Sequence, residues 1–140
     1  MKIEGTCHCG LITYEAEIDP ATVTMCHCPD CQMLSGSAFR TLVPARKEVF
    51  KLITGAPKIY LKTTGCGTES GNRSVQSFCD KCGAAIYSSA EINPEIFMLR
   101  VGTIRQRAEL NPKSQMYCQS ALIWLSEAWP LKKFARLPTI

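Results

Sequence analysis

Cys7-His8-Cys9-Gly10, Cys26-His27-Cys28-Pro29-Asp30-Cys31 and Cys79-Asp80-Lys81-Cys82-Gly83 hold seven of the nine cysteines of this chain. Isolated cysteines scatter and usually pack as small apolar residues. Thiols two or three positions apart are how a chain wraps one metal ion. The clusters contain two, three and two cysteines. Two plus two closes a four-sulfur site, and three can hold an ion with one position left open. A closed site builds structure; an open one can do chemistry.

Thiolate-rich sites suit zinc or iron–sulfur clusters. The usual iron–sulfur runs keep three or four ligands in sequence at fixed spacings, a pattern missing here. Zinc is therefore the expected metal, with two ions per chain. Cys79-x-x-Cys82-Gly83 has the form of a zinc knuckle. Two spacer residues let the backbone turn so that both sulfurs converge, and the glycine tolerates φ > 0. Cys7-x-Cys9-Gly10 can do a similar job. Each half supplies two ligands, so Cys7, Cys9, Cys79 and Cys82 are expected to share an ion. That would clamp the N-terminal segment to a hairpin about 70 residues later.

Cys26, Cys28 and Cys31 lie within six residues and can all reach one ion. The fourth position falls to water, a substrate thiol, or a distant residue such as Cys66, Cys118, His8 or His27. With three thiolates donating charge, such a zinc should favour another thiolate over activating water. Completion by Cys66 or Cys118 would instead make a second closed, structural site. His8 and His27 sit between ligands, which on an extended backbone turns them away from the metal. Trp124, Trp129, Tyr117 and Phe134 read as core and packing.

An apolar fraction of 46% and a charged fraction of 20% are those of a soluble globular protein. Length predicts one domain, residues 1–140. No run approaches 18 apolar residues, and the N-terminus lacks the apolar stretch of a secretory signal, so neither membrane nor export is expected. A cytoplasmic, reducing location favours metal over disulfides, as does the odd cysteine count. The formal charge of +4 counts every cysteine as a neutral thiol. Seven thiolates and two Zn²⁺ would bring it to about +1, so a nucleic-acid partner is not expected. Lys132, Lys133 and Arg136 read as solvated surface.

The fold class reads as mainly β, in short strands separated by turns. Strands are expected in 11–18, 22–25, 37–43 (stopped by Pro44), 74–78, 84–88, 96–101 and 120–125. Residues 49–54 and 58–63 flank Gly55-Ala56-Pro57 and read as a hairpin. Helical signal is thin: one turn over 32–36 and a short helix over 104–110. The stretch 64–72, with three glycines, reads as an exposed mobile loop carrying Cys66.

At Gly5-Thr6-Cys7-His8-Cys9-Gly10, the middle cluster with Ser35-Gly36-Ser37, Phe78-Cys79-Asp80-Lys81-Cys82-Gly83-Ala84 and Val101-Gly102-Thr103-Ile104, the chain resembles the glutathione-dependent formaldehyde-activating enzyme family. The resemblance implies a β-tent fold, small coiled antiparallel sheets meeting around a structural zinc. It implies that Cys7, Cys9, Cys79 and Cys82 hold that ion and that Cys26, Cys28 and Cys31 hold a catalytic one. It implies a carbon–sulfur lyase that joins glutathione, or a similar thiol, to formaldehyde or a similar small aldehyde. Gln32 and Gln115 depart from the family pattern, where a basic residue and a histidine are common, at positions that could touch substrate. The competing expectation is a non-catalytic, zinc-stabilised binding or scaffold module of the same fold. A thiol redox enzyme would need a reactive cysteine such as Cys66 or Cys118, but no matching motif surrounds either.

Overall fold

Alternation of apolar and charged residues starts the fold. In β1 (Lys2–Thr6) and β2 (Thr13–Glu17), Ile3, Tyr14 and Ala16 turn inward while Lys2, Glu4, Glu15 and Glu17 face solvent. The two strands pair antiparallel from Lys2–Glu17 to Thr6–Thr13, and β5 (Lys51–Thr54) adds to the free side of β2. The structure, a computed structural model, describes residues 1–66, 70–128 and 130–137. A second sheet contains β3 (Thr24–Cys26), β4 (Arg40–Arg46), β6 (Lys58–Lys62), β7 (Ser74–Phe78), β8 (Ala85–Ala90), β9 (Ile96–Arg100) and β10 (Ser114–Met116). Its order is β10-β3-β4-β9-β8-β7-β6, antiparallel except for the parallel β10–β3 pair.

The chain is mainly β, and the core lies between the sheets. Ile3, Ile12, Tyr14 and Ile18 from one side meet Val43, Ile86, Leu99 and Ile104 from the other. Cys7 and Cys79 are buried in the same cluster, so one metal-type site is embedded in the core wall. Gly5 lets the sheets close: a Cβ there would lie 1.9 Å from the Tyr14 ring. Tyr14 itself is anchored by a 2.8 Å hydrogen bond between its hydroxyl and Thr103 Oγ1.

Several expectations are corrected. Strands 51–54 and 58–62 form but do not make a hairpin; β5 pairs with β2 and β6 with β7, so Gly55-Ala56-Pro57 carries the chain between sheets. Pro44 does not stop its strand. It pairs with Met98 beyond the end of β3, where β4 has a strand on one side only and a missing N–H is tolerated. Residues 120–125 are not a strand; 3-10 turns occupy Cys118–Ser120 and Ile123–Glu127. The helix expected over 104–110 is a single 3-10 turn, Arg107–Glu109. Tyr117, Trp124 and Phe134 are 37%, 55% and 52% exposed, so they are not core; Trp129 lies outside the described residues. β1 and β10 were not anticipated, because each offers one inward apolar side chain or none.

Candidate metal centres

Two turns of similar build carry the first site. Cys7 N–H donates to Ile12 O at 3.0 Å, and Cys79 N–H donates to Ala84 O at 2.9 Å. Gly10 and Gly83 follow the second cysteine of each turn with φ of +79° and +74°, which only glycine adopts without strain. The sulfurs of Cys7, Cys9, Cys79 and Cys82 all lie within 4.8 Å of one another. Cys7–Cys9 is 3.6 Å and Cys9–Cys79 is 3.8 Å. A tetrahedron with 2.3 Å zinc–sulfur bonds has edges of about 3.8 Å, so the donor set fits zinc.

Backbone N–H groups already favour thiolate at this site. Burial resists ionisation of Cys7, but the Ile12 N–H, 3.2 Å from its sulfur, and the neighbouring thiols draw its pKa below the usual value. The Ala84 and Cys9 N–H groups lower Cys82 to about 6. Cys9 accepts from the Leu11 N–H, yet burial and the three neighbouring thiols push it up to about 11. A divalent cation would remove that repulsion.

The middle cluster stands where β3 runs into the one α-helix among the described residues, α1 (Pro29–Ser35). This helix is longer than the turn expected over 32–36 and starts inside the cluster. Pro29 takes its first position, where no N–H is needed, and Gly36 ends it at φ +60°. Cys28 caps it: the Cys31 N–H donates to Cys28 Sγ at 3.3 Å. Helix and strand together bring Cys26, Cys28 and Cys31 within 4.8 Å of one another. Burial and the neighbouring thiols raise Cys31, and burial raises Cys26. Cys28 is also buried, but the Cys31 N–H and the surrounding thiols lower it.

The other candidate ligands separate clearly. Cys66 packs against the Cys26–Cys28–Leu42 cluster without joining the set of mutually close sulfurs. Cys118 and His8 are exposed. His27 is 1% exposed, and its Nε2 lies 2.8 Å from Gln115 Oε1. Gln32 Nε2 donates to the carbonyls of His27 at 2.8 Å and Ser120 at 2.9 Å. Gln32 and Gln115, the two departures from the family pattern, thus tie α1, β3, β10 and the 118–120 turn around His27.

Sequence reading missed the charges behind the cluster. Arg40 pairs across the strands with Cys26, and Arg100 follows on β9; each is 6% exposed. Both donate to Gln76 Oε1, at 3.3 and 2.8 Å. No carboxylate among the described residues pairs with either. Burial, then the charge of Arg40, lowers the Arg100 pKa to about 9, while Cys31 and Cys26 pull it back up. The available signal was an arginine inside each of the apolar runs Phe39-Arg40-Thr41-Leu42-Val43 and Met98-Leu99-Arg100-Val101.

A model of the family described as glutathione-dependent formaldehyde-activating enzyme matches residues 2–120. The chain belongs to that family. The family match takes in all seven clustered cysteines, both buried arginines and the two glutamines, and stops within the 118–120 turn. The fold is also similar to that of a Rhodobacter sphaeroides protein, a structural-genomics crystal structure. That match has a TM-score of 0.61 and 24% identity, covering 81% of this chain and 99% of the other. At that identity the likeness speaks for the fold alone. Among the described residues no helix is long and apolar enough to cross a membrane.

Proposed function

We propose that this member of the formaldehyde-activating family is a zinc-dependent carbon–sulfur lyase joining a glutathione-like thiol to a small aldehyde such as formaldehyde. The observation that carries the reading is the three-sulfur group. Cys26, Cys28 and Cys31 converge on one point, and among the described residues no fourth Cys, His, Asp or Glu lies as close to all three, so the fourth position can be taken by an exchangeable thiol. Cys7, Cys9, Cys79 and Cys82 would hold the structural zinc, and Cys26, Cys28 and Cys31 the catalytic one. Both centres would belong to one domain, residues 1–140, working in the cytoplasm without nucleic-acid or membrane partners.

In the reaction the thiol sulfur bonds to the aldehyde carbon, and the thiol proton ends on the aldehyde oxygen. The zinc, when bound, would supply a positive centre that stabilises thiolate or polarises the aldehyde oxygen. The protein's own residues supply position. Cys28 fixes the first turn of α1, and Gln32 and Gln115 fix the backbone around His27. Arg40 and Arg100 supply a positive field that favours an anionic sulfur over a neutral ligand. Holding two reactants together can replace a bimolecular encounter with a positioned reaction.

Calorimetric titration of the two-zinc protein tests the reading. Glutathione should bind at least tenfold more tightly than S-methylglutathione, whose sulfur cannot ionise. Equal binding of the two, or none, would favour the scaffold module.

A further inference from the structure

The middle cluster has a fourth sulfur at its edge. Cys66 packs against Cys26, Cys28 and Leu42. Its loop is held to the ligand-bearing segment itself. Asp30, between Cys28 and Cys31, accepts from the Cys66 N–H and from Lys62 Nζ, each at 2.9 Å. Lys62 also donates to the Cys66 carbonyl. Gly65 makes the close approach possible: its φ is +88°, and a Cβ there would lie 2.2 Å from Asp30 Oδ2. The clasp grips the Cys66 backbone through N–H and C=O, and the Cys66 thiol faces the Cys28 thiol within hydrogen-bonding reach.

Charge points to the same residue. A divalent ion with three thiolates carries one net negative charge. Arg40 and Arg100 bring two positive charges into the same buried region. Lys62 and Asp30 cancel each other. One positive charge is left over, and among the described residues Arg100 Nε has no hydrogen-bond partner. Buried surplus charge is costly. A neutral water in the fourth position would leave the surplus in place, whereas one more thiolate would remove it.

We propose that the Cys66 thiolate completes the middle metal site at rest and that the substrate thiol displaces it. The inference rests on the reading that Cys26, Cys28 and Cys31 hold zinc. One thiolate leaves as another arrives, and the incoming thiol's proton passes to the Cys66 sulfur, so the charge of the buried region does not change. Cys66 is thus an internal stand-in for substrate. It keeps water and stray ligands off the site, and this reconciles four nearby sulfurs with an open, working centre.

Zinc K-edge absorption on the two-zinc protein tests this without turnover. Wild type and Cys118→Ser should show only sulfur neighbours, and Cys66→Ser should add an oxygen or nitrogen neighbour. Glutathione should return Cys66→Ser to an all-sulfur spectrum. It should also bind that variant about tenfold more tightly if the wild-type site is open about a tenth of the time. An oxygen or nitrogen neighbour already present in wild type, unchanged in Cys66→Ser, would overturn the proposal. A single zinc per chain in both proteins would instead overturn the metal reading beneath it.

Discussion

Opening the four-cysteine clamp should cost this protein much of its stability. The perturbation is Cys79→Ser with Cys82→Ser, which removes both ligands from one side. Cys9 and Cys79 are 70 residues apart in sequence and 3.8 Å apart at their sulfurs. Closing a loop of about 70 residues costs roughly 3.8 kcal/mol of chain entropy on the (3/2)RT ln n scale, before any constant term. With the metal clip in place that cost is borne in the unfolded state too; without it, folding bears the whole cost. For 140 residues the unfolding entropy is about 0.3 kcal/mol/K, so a loss of about 3.8 kcal/mol lowers Tm by about 13 °C. That figure is a floor. Zinc bound to small thiolate peptides supplies about 10–16 kcal/mol, comparable to the whole net stability of a domain. Scanning calorimetry and zinc analysis of the double variant check the claim. A Tm within about 3 °C of wild type, or an undiminished zinc content, would refute the clamp.

Three further outcomes follow from particular contacts. Gly5→Ala should destabilise by about 2–4 kcal/mol in urea melts, because the new methyl group overlaps the buried Tyr14 ring and endangers its bond to Thr103. Asp30→Asn should leave the 8%-exposed Lys62 without its counter-ion and free the Cys66 amide, read as lost stability of about 1–3 kcal/mol and faster hydrogen exchange over 62–66. Acid should release the middle zinc before the clamp zinc. Metal uptake there must strip protons from Cys26 and Cys31, both raised, with only Cys28 lowered, whereas in the clamp only Cys9 is raised, to about 11, and Cys7 is lowered and Cys82 stands at about 6, so the middle site loses affinity first as pH drops. A metal-sensitive dye should see two release steps in wild type and only the more acid one in Cys28→Ser.

The spacing of the cysteines made the two groups of converging sulfurs legible, because each cluster turns its own thiols together and the count leaves few ways to combine the clusters. Strand positions were legible wherever side chains alternate, as from Thr13 to Glu17. Partners were not. Gly55-Ala56-Pro57 looks like a hairpin turn, yet β5 and β6 bury themselves on different sheets, a choice made by long-range packing. Arg40 and Arg100 were passed over because a lone charge in a strand usually points to solvent; here both point inward and share Gln76. Gln32 and Gln115 looked like losses at a substrate site, and their role as props for His27 exists only once β3, β10 and α1 meet.

The central claim is that the three-cysteine centre speeds the joining of a thiol to formaldehyde. Exchange of ¹³C-labelled formaldehyde between its free and glutathione-bound forms, followed at equilibrium by NMR exchange spectroscopy, tests it directly. The two-zinc protein should raise the exchange rate above that of glutathione alone. Cys28→Ser should abolish the increase while keeping the clamp zinc and the wild-type fold, since serine can still cap α1. No acceleration by wild type, or the same acceleration by Cys28→Ser, would contradict the account.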